Sequence, residues 1–469
     1  MASSNTMKIQ EVFKVTPFSD STAEFSPPLT LYDTFWFNFP PVERLYFYQI
    51  TGLTHHFFNS VILPNLKCSL SRTLLHYLPL AGNLIWPPDA PKPCIYYSPT
   101  DGGVSVTVAE STADFNSLSG NGVRAVAELH PLIPQLLTSD DKAALIAIQI
   151  TLFPNQGFSI GITTHHAMFD GKSSTTFIKS WAYLCKQGKD HEENPSLSPE
   201  LIPSFDRTII KDPAGIDLEY INNWFGYTNS RSLKVLPNII PNSDCVRATF
   251  ELTREDIQKI RNRVLFMLNK DDEKEEDRAP EQLHLSTFLL TLAYVFVCMV
   301  KARRGEDNRS VIFAFTADYR TRLSPLVPLN YVGNCVMPHL CTATARDLTE
   351  ENGIAFVANK LSAVVKGLER GELEGRKDTL SRVLIALKAM LEGVQGLSVA
   401  GSTHFDVYGS DFGWGRPNKV EIVSIDRSGA VALAKSRDRS GGVEIGVALE
   451  KQEMEVFRSL FADGLKDNM

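Results

Sequence analysis

Two adjacent histidines and an aspartate precede a Gly-Lys-Ser sequence in the stretch THHAMFDGKSST, residues 164–175. Such residue types can serve a nucleotide-binding loop, a metal site or a general base. A phosphate-binding loop requires a glycine, four further residues and then Gly-Lys-Ser/Thr. His166 occupies the first glycine position here, so the backbone cannot wrap closely around a phosphate. The stretch is therefore not expected to bind a nucleotide.

A metal site and a hydrolase nucleophile are also not expected near this stretch. His165 or His166 with Asp170 would still need a third ligand, and no His-Glu-x-x-His sequence or nearby Cys/His cluster provides one. The sequence GFSIG, residues 157–161, matches the Gly-x-Ser-x-Gly pattern of hydrolases, which requires a sharp turn from a strand into a helix. Ser159 lies instead inside a continuing β-rich run, so we expect a strand serine.

A histidine at the end of a strand can act as a general base when its imidazole faces a cleft. Asp170 follows His166 by four residues, and Gly171 then permits a tight turn. Two uses of Asp170 are open: it orients the imidazole, or it holds the loop by pairing with an arginine elsewhere. The local spacing is equally compatible with a polar turn that has one solvated and one packed histidine.

The spacing of apolar residues predicts the elements that position these side chains. Residues 143–153 and 157–166 are β-rich runs joined by Pro-Asn-Gln, which predicts a hairpin whose second strand carries the histidines. Helical spacing occurs at 54–80 and returns at 177–185. Residues 186 to about 240 are rich in Pro, Asn, Ser and charge, and they are predicted to form a long crossover.

The second half of the chain again mixes strands and helices. A strand at 245–252 is followed by an exposed charged loop at 269–282 and a buried core helix at 285–304. A further strand follows at 310–320, and three alternating strands and an amphipathic helix come last.

The length of 469 residues exceeds the roughly 250 to 300 residues at which one hydrophobic core stops growing. We therefore expect two α/β domains, at 1–190 and 241–469, joined by a crossover at 191–240.

Composition excludes several classes of protein. The net charge of −7 provides no basic face for nucleic acid. No signal peptide and no run of about 18 apolar residues is found, so we expect a cytoplasmic protein without membrane contact. The seven cysteines contain no Cys-x-x-Cys pair and are expected to be free thiols.

Three motifs occur in one order along the chain: HAMFDG at 166–171, YVGNC at 331–335 and DFGWG at 411–415. With LTLYDTFWF near the N-terminus and LPLAGNL at 78–84, they resemble the plant BAHD family of acyl-CoA-dependent acyltransferases, in its anthocyanin and flavonoid glucoside branch. The resemblance covers essentially the whole chain. It implies two similar-sized α/β domains of chloramphenicol-acetyltransferase-like fold, with a central solvent channel between them. It also implies a monomer that uses acyl-CoA as co-substrate and has no permanently bound cofactor.

The resemblance assigns roles to individual residues of the first motif. His166 would be the general base that takes the proton of the acceptor hydroxyl, with no covalent acyl-enzyme. Asp170 would hold the loop by pairing with Arg320. Gly171, which follows Asp170, would be a structural residue of the same loop. Lys172 is the only cation of the loop and would read a malonyl carboxylate.

Further roles follow from the same resemblance, each beside a plain structural alternative. Ser286 would donate to CoA, or it caps the long core helix. Trp36 would line the acceptor side, or it packs in the core. The DFGWG motif would be structural, shaping a channel wall in the C-terminal domain or filling an aromatic corner; it comprises Asp411, Phe412, Gly413, Trp414 and Gly415.

The function that the resemblance implies is transfer of a malonyl group to a sugar hydroxyl of a phenolic, flavonoid or anthocyanin glucoside. YVGNC departs by one residue from the Tyr-Phe-Gly-Asn-Cys of the malonyltransferase branch, and the change from Phe to Val keeps the position apolar. Hydroxycinnamoyl-CoA is the alternative donor. A non-catalytic glycoside-binding module is the alternative from another class, although such a module would not need the geometry of His166, Asp170 and Gly171.

Overall fold

The structure, a computed structural model, describes residues 7–18, 23–189, 196–236, 244–272, 285–369 and 376–466. The strands are β1 Met7–Val15, β2 Val42–Gln49, β3 Asn83–Ile85, β4 Cys94–Tyr96, β5 Val104–Ser111, β6 Arg124–Ala125, β7 Lys142–Ala144, β8 Ile146–Phe153, β9 Gly157–Thr164, β10 Cys245–Leu252, β11 Ser310–Asp318, β12 Val336–Thr344, β13 Gln395–Leu397, β14 Val399–Gly401, β15 Lys419–Ile422, β16 Val431–Lys435 and β17 Val443–Glu450. The α-helices are α1 Leu31–Trp36, α2 His55–Phe57, α3 Leu63–His76, α4 Phe115–Leu118, α5 Gly171–Lys189, α6 Ile216–Thr228, α7 Arg254–Asp272, α8 Thr287–Ala302, α9 Ala345–Thr349, α10 Gly353–Glu369, α11 Arg376–Leu391, α12 Ile425–Ser428 and α13 Lys451–Asp463.

The chain divides into two compact units. The first comprises residues 1–239, 319–336 and 405–424, and the second comprises 240–318, 337–404 and 425–469. Among the described residues, no helix combines the length and apolar character that a membrane crossing requires.

The first unit is built on a six-stranded sheet in the order β1-β5-β8-β9-β2-β15. The β5–β8 pair is parallel and the other neighbours are antiparallel. β8 and β9 are buried along their whole length, as expected for central strands with both faces covered. They form the hairpin predicted from the sequence, and the chain leaves β9 directly into the two histidines.

The second unit contains two sheets and the apolar helix α8. β10, β17 and β16 are antiparallel neighbours, and β14 pairs in parallel with β16. β11 lies between β12 and β13 in a second sheet. Almost every residue of α8 is buried, which confirms the predicted core helix. Its N-cap is Ser286, whose hydroxyl accepts the N–H of Leu289 at 3.3 Å.

The units differ from the predicted domains because two late segments return to the first unit. β15 pairs antiparallel with β2, so DFGWG at 411–415 belongs to the first unit and not to a C-terminal domain. Residues 319–336 join it too, through the hydrogen bonds described below.

The predicted crossover also differs in part. It contains α6, which packs on α1 within the first unit. Residues 191–195 and 237–240 of the crossover, and residues 273–282 of the predicted charged loop, lie outside the described residues.

Candidate active site

The two histidines after β9 have opposite environments. The His165 side chain is fully buried, and its Nδ1 accepts the N–H of Ala167 at 3.2 Å. Burial, with a smaller contribution from His166, lowers the pKa of His165 to about 3. His166 is partly exposed. His165 is therefore a neutral core residue, and His166 is the more accessible of the two histidines.

The imidazole of His166 lies flat against the indole of Trp36. The ring centroids are 4.4 Å apart and the ring planes differ by 8°. Burial lowers the pKa of His166 to about 4, against the opposing effects of its own backbone carbonyl, the charge of Asp170 and the side chain of Asn334. The ring is consequently neutral at pH 7, which is the state that a general base requires.

Trp36 itself is fixed at the end of α1. Its Nε1 donates to the carbonyl of Val336 at 3.2 Å, and only 9% of the residue is exposed. Phe39 lies 4.9 Å from the Trp36 ring and 6.4 Å from that of His166, measured between centroids. The structure thus places Trp36 on the imidazole, in an aromatic cluster of the first unit.

Asp170 is committed to the loop and to the start of α5. Its Oδ1 accepts the N–H of Ser173 at 2.8 Å, the arrangement of a helix N-cap. Its Oδ2 lies 2.7 Å from Nη2 of Arg320 and accepts the N–H of Cys335 at 3.2 Å. Both carboxylate oxygens are therefore occupied by groups other than the imidazole, and the structure brings together Asp170 and Arg320.

The segment 331–335, the YVGNC motif, closes around the same helix start. The hydroxyl of Ser173 donates to the carbonyl of Gly333 at 2.9 Å and accepts the Gly333 N–H at 3.2 Å. Arg320 adds a bond to the Ser173 hydroxyl at 3.2 Å and one to the Gly333 carbonyl at 3.3 Å. The motif is thus a clamp on the loop that carries His166.

A second buried carboxylate, Asp33 in α1, was not singled out in the sequence. Its Oδ2 accepts from the backbone and hydroxyl of Thr30 and from Nη1 of Arg207, at 2.9, 2.8 and 2.9 Å. Its Oδ1 accepts the backbone N–H and the Nδ2 of Asn334, at 3.0 and 3.1 Å. Nδ2 of Asn334 also donates to the carbonyl of His166 at 2.9 Å. The Thr-x-x-Asp spacing at a helix start was the local signal for Asp33.

Gly171 and Lys172 form the first turn of α5. A Cβ on Gly171 would lie 2.6 Å from a ring carbon of Phe405, so the close approach of that ring requires glycine. Lys172 is partly buried, and its carbonyl accepts the hydroxyl of Thr176 at 3.1 Å. Ser286 belongs to the second unit, where it caps α8.

The DFGWG motif is a tight loop with its own contacts. Oδ1 of Asp411 accepts the N–H groups of Gly413 and Gly415, at 2.8 and 2.9 Å. Both glycines have φ of +94°, a conformation that side chains disfavour. Oδ2 of Asp411 lies 2.8 Å from Nζ of Lys186 on α5. These contacts tie the loop to the helix that Asp170 caps.

The aromatic residues of the motif pack in the first unit. The ring of Phe412 meets that of Trp181 edge to face at 4.9 Å and that of Tyr48 at 5.7 Å. The indole of Trp414 meets Phe158 at 6.0 Å. The motif therefore supports the sheet and α5, with no atom placed on the imidazole in the contacts described.

The site contains one neutral histidine, His166, whose backbone carbonyl accepts a hydrogen bond from Asn334. Across the described part of the chain, no group of three or more His, Cys, Asp or Glu side chains is arranged to hold a metal ion. A single base suits a reaction whose electrophile is already activated and needs only a deprotonated nucleophile.

The chain is similar to known transferases over nearly its whole length. A family model described as Transferase family matches residues 6–463. Phenolic glucoside malonyltransferase 1 of Arabidopsis thaliana is 44% identical, over 99% of this chain and 98% of that protein. Malonyl-CoA:anthocyanidin 5-O-glucoside-6''-O-malonyltransferase of the same plant is 44% identical, over 98% of each chain.

Among solved structures, the crystal structure of vinorine synthase is similar with a TM-score of 0.65. The two chains are 18% identical, and the match covers 97% of this chain and 98% of the other. At that level of identity the similarity supports an inference about the fold only. It confirms the fold class expected from the sequence, two α/β domains.

Proposed function

This chain belongs to the Transferase family and is a BAHD acyltransferase, and we propose that it transfers a malonyl group from malonyl-CoA to a sugar hydroxyl of a phenolic or anthocyanin glucoside. The enzyme class is an acyltransferase with acyl-CoA as co-substrate. The choice of malonyl as the donor group rests on the relatives that are named malonyltransferases, which this chain matches over nearly their whole length.

The observation that carries the mechanism is the neutral, partly exposed His166 beside an Asp170 that is fully engaged elsewhere. His166 takes the proton of the sugar hydroxyl as the oxygen attacks the thioester carbonyl. The tetrahedral intermediate then expels the CoA sulfur, which receives the proton back from His166. The thioester is already activated, so no covalent acyl-enzyme is required.

Donor choice is assigned to the first turn of α5. Lys172 is the cation nearest in sequence to His166 and Asp170, and an ammonium group there would pair with the free carboxylate of a malonyl thioester. The N-terminal end of a helix adds to the attraction for that anion. A hydroxycinnamoyl group carries no such carboxylate.

The proposal includes a monomeric enzyme in the cytoplasm. Gel filtration of the purified chain tests the first statement. Localisation of a fluorescent fusion tests the second.

Replacement of His166 by alanine is the decisive test. Release of free CoA thiol is followed with malonyl-CoA and with p-coumaroyl-CoA over a panel of phenolic glucosides. His166→Ala is expected to lower kcat by about 10² to 10⁴ while CoA binding, measured by calorimetry, changes little. Ser159→Ala is the matched control, because this buried strand serine should be dispensable.

Three results would contradict parts of the proposal. Activity of His166→Ala within a few-fold of the unaltered enzyme would exclude the mechanism. Preference for p-coumaroyl-CoA would replace the donor. Absence of thiol release with every donor would favour a glycoside-binding module.

A further inference from the structure

The carboxylate of Asp33 accepts five hydrogen bonds at the start of α1, where the residue is fully buried. Oδ2 accepts from the backbone N–H and hydroxyl of Thr30 and from Nη1 of Arg207. Oδ1 accepts from the backbone N–H and Nδ2 of Asn334. Backbone N–H, amide NH2 and guanidinium groups can only donate, so both oxygens must accept. An aspartate meets this need, whereas an asparagine would turn an NH2 group toward one of the two sets of donors.

The Oδ2 side of Asp33 holds α1 and, through it, the ring of His166. The bonds to Thr30 form the capping box of α1, a helix of only 6 residues. So short a helix is not stable by itself, and its end contacts and packing hold it in place. Its last residue is Trp36, which donates Nε1 to the carbonyl of Val336 at 3.2 Å and covers the imidazole at 4.4 Å.

The Oδ1 side of Asp33 holds the backbone of His166. Nδ2 of Asn334, which lies 3.1 Å from Oδ1 of Asp33, also donates to the carbonyl of His166 at 2.9 Å. The backbone N–H of Asn334 lies 3.0 Å from the same oxygen, so Asn334 is fixed at two points. The backbone of His166 and the indole that covers its ring are therefore both held by one carboxylate.

We propose that Asp33 is a positioning residue for the base, which sets the position of the His166 imidazole by holding Trp36 on the ring and Asn334 on the backbone. The inference rests on the proposed role of His166 as the base. In the contacts described, Asp33 acts through α1 and Asn334 and does not meet the imidazole itself. An imidazole displaced by about 1 Å from the acceptor hydroxyl loses on the order of 10² in rate.

The ion pair between Asp33 and Arg207 has to be separated from the positioning role. Nη1 of Arg207 lies 2.9 Å from Oδ2 of Asp33, and both side chains are buried. Loss of the carboxylate leaves the guanidinium buried without its countercharge, which destabilises the fold whatever Asp33 does for the base. The second unit offers a matched comparison, because Arg247 and Asp426 form an equally buried pair at 2.9 Å.

Kinetics of two isosteric variants make this separation. Asp33→Asn and Asp426→Asn each leave one buried arginine unpaired, and both should lower the urea midpoint of unfolding. Only Asp33→Asn should lower kcat, by about 10-fold to 10²-fold, with little change in the KM for malonyl-CoA. The rates are measured where circular dichroism shows both variants to be folded.

The environment of the ring can be measured without turnover. Diethyl pyrocarbonate acylates neutral imidazoles, and peptide mass spectrometry gives the rate at His166, with His76 of α3 as internal reference. Because Asp33→Asn loosens the indole over the ring, it should speed labelling of His166, whereas Asp426→Asn should not. The labelling needs no substrate, so it tests the positioning even if His166→Ala disproves the proposed chemistry.

A double variant removes the charge problem altogether. Asp33→Asn combined with Arg207→Met leaves neither member of the pair buried as an unpaired charge. The double variant should recover much of the urea midpoint lost in Asp33→Asn. It should keep the low kcat and the fast labelling of His166, because one set of donors at Asp33 still lacks its acceptor.

Each outcome decides for or against the inference. Unchanged labelling of His166 in Asp33→Asn overturns it, as does a kcat that recovers together with stability in the double variant. Equal losses of kcat in Asp33→Asn and Asp426→Asn would also overturn it. If Asp33→Asn does not fold, the double variant decides. Faster labelling with undiminished kcat would uphold the positioning and remove His166 from the proposed chemistry.

Discussion

The indole of Trp36 covers one face of the imidazole of His166 at 4.4 Å, with the rings within 8° of parallel. The contact joins the end of α1 to the turn after β9, two elements separated by more than a hundred residues. It removes water from the ring, and loss of water disfavours the imidazolium. The pair therefore links the shape of the site to its working pH.

Trp36→Leu should move the acid limb of the pH profile. Because the base acts when neutral, kcat/KM of the unaltered enzyme should fall only as the pH drops through about 4. With the indole gone, water reaches the ring, so the limb should move toward pH 6.5. Trp86→Leu removes an equally buried indole whose ring contact is with Phe37, and it should leave the limb in place. If the acid limb of kcat/KM does not move in Trp36→Leu, stacking on Trp36 does not determine the pKa of His166.

The pair Asp170–Arg320 should behave as a strongly coupled unit. Either Asp170→Asn or Arg320→Met leaves one buried group without its countercharge, at a cost of about 3 to 5 kcal/mol in the free energy of unfolding. The double variant should lose less than the sum, as measured by urea unfolding. The exposed pair Asp101–Lys142, at 2.7 Å, should give nearly additive losses. Additivity at Asp170 and Arg320 would mean that the ion pair does not hold the loop.

Gly333→Ala should disturb the clamp made by 331–335. The glycine has φ of +153°, and a Cβ there would meet the guanidinium of Arg207 and lie 2.9 Å from the hydroxyl oxygen of Tyr331. We expect a loss of about 1 to 3 kcal/mol in the free energy of unfolding and a lower kcat. Gly226→Ala in α6 meets nothing within 4 Å and should be neutral or stabilising. Equal effects of the two substitutions would argue against the clamp.

His165 should make the fold sensitive to acid. Its pKa falls from 6.5 in the unfolded chain to about 3 in the fold, so the unfolded state binds the proton first. The contribution of His165 to the free energy of unfolding is fully present above pH 6.5. It is lost as the pH falls toward 3, with a slope of up to about 1.4 kcal/mol per pH unit. In His165→Asn, where an amide oxygen replaces Nδ1 as acceptor, the free energy of unfolding should depend less on pH over this range. The same pH slope in both proteins would assign the acid sensitivity to other groups.

Much of the framework of both units was accessible from the sequence, because the periodicity of apolar residues reports directly on burial. The hairpin of β8 and β9 and the core helix α8 were predicted on this basis. Periodicity reports only local burial, so it gave no sign that Asp33, Arg207 and Asn334 meet. The helix α6 was missed because its Asn and Gly residues weaken the helical signal.

The pairing of β15 with β2 has a consequence for how the protein is made. Strand β2 is synthesised early and pairs with β9, yet its second partner, β15, is complete only when residue 422 has left the ribosome. The first segment of the unit ends at residue 239, roughly 180 residues before the end of β15. At the usual rate of about 5 to 20 residues per second, synthesis of these residues delays completion of the sheet by roughly 10 to 40 seconds. Throughout that interval one edge of the nascent sheet is open to pairing with other chains. The long return of the chain thus leaves this edge of the newborn sheet exposed to edge-to-edge pairing until synthesis is nearly complete.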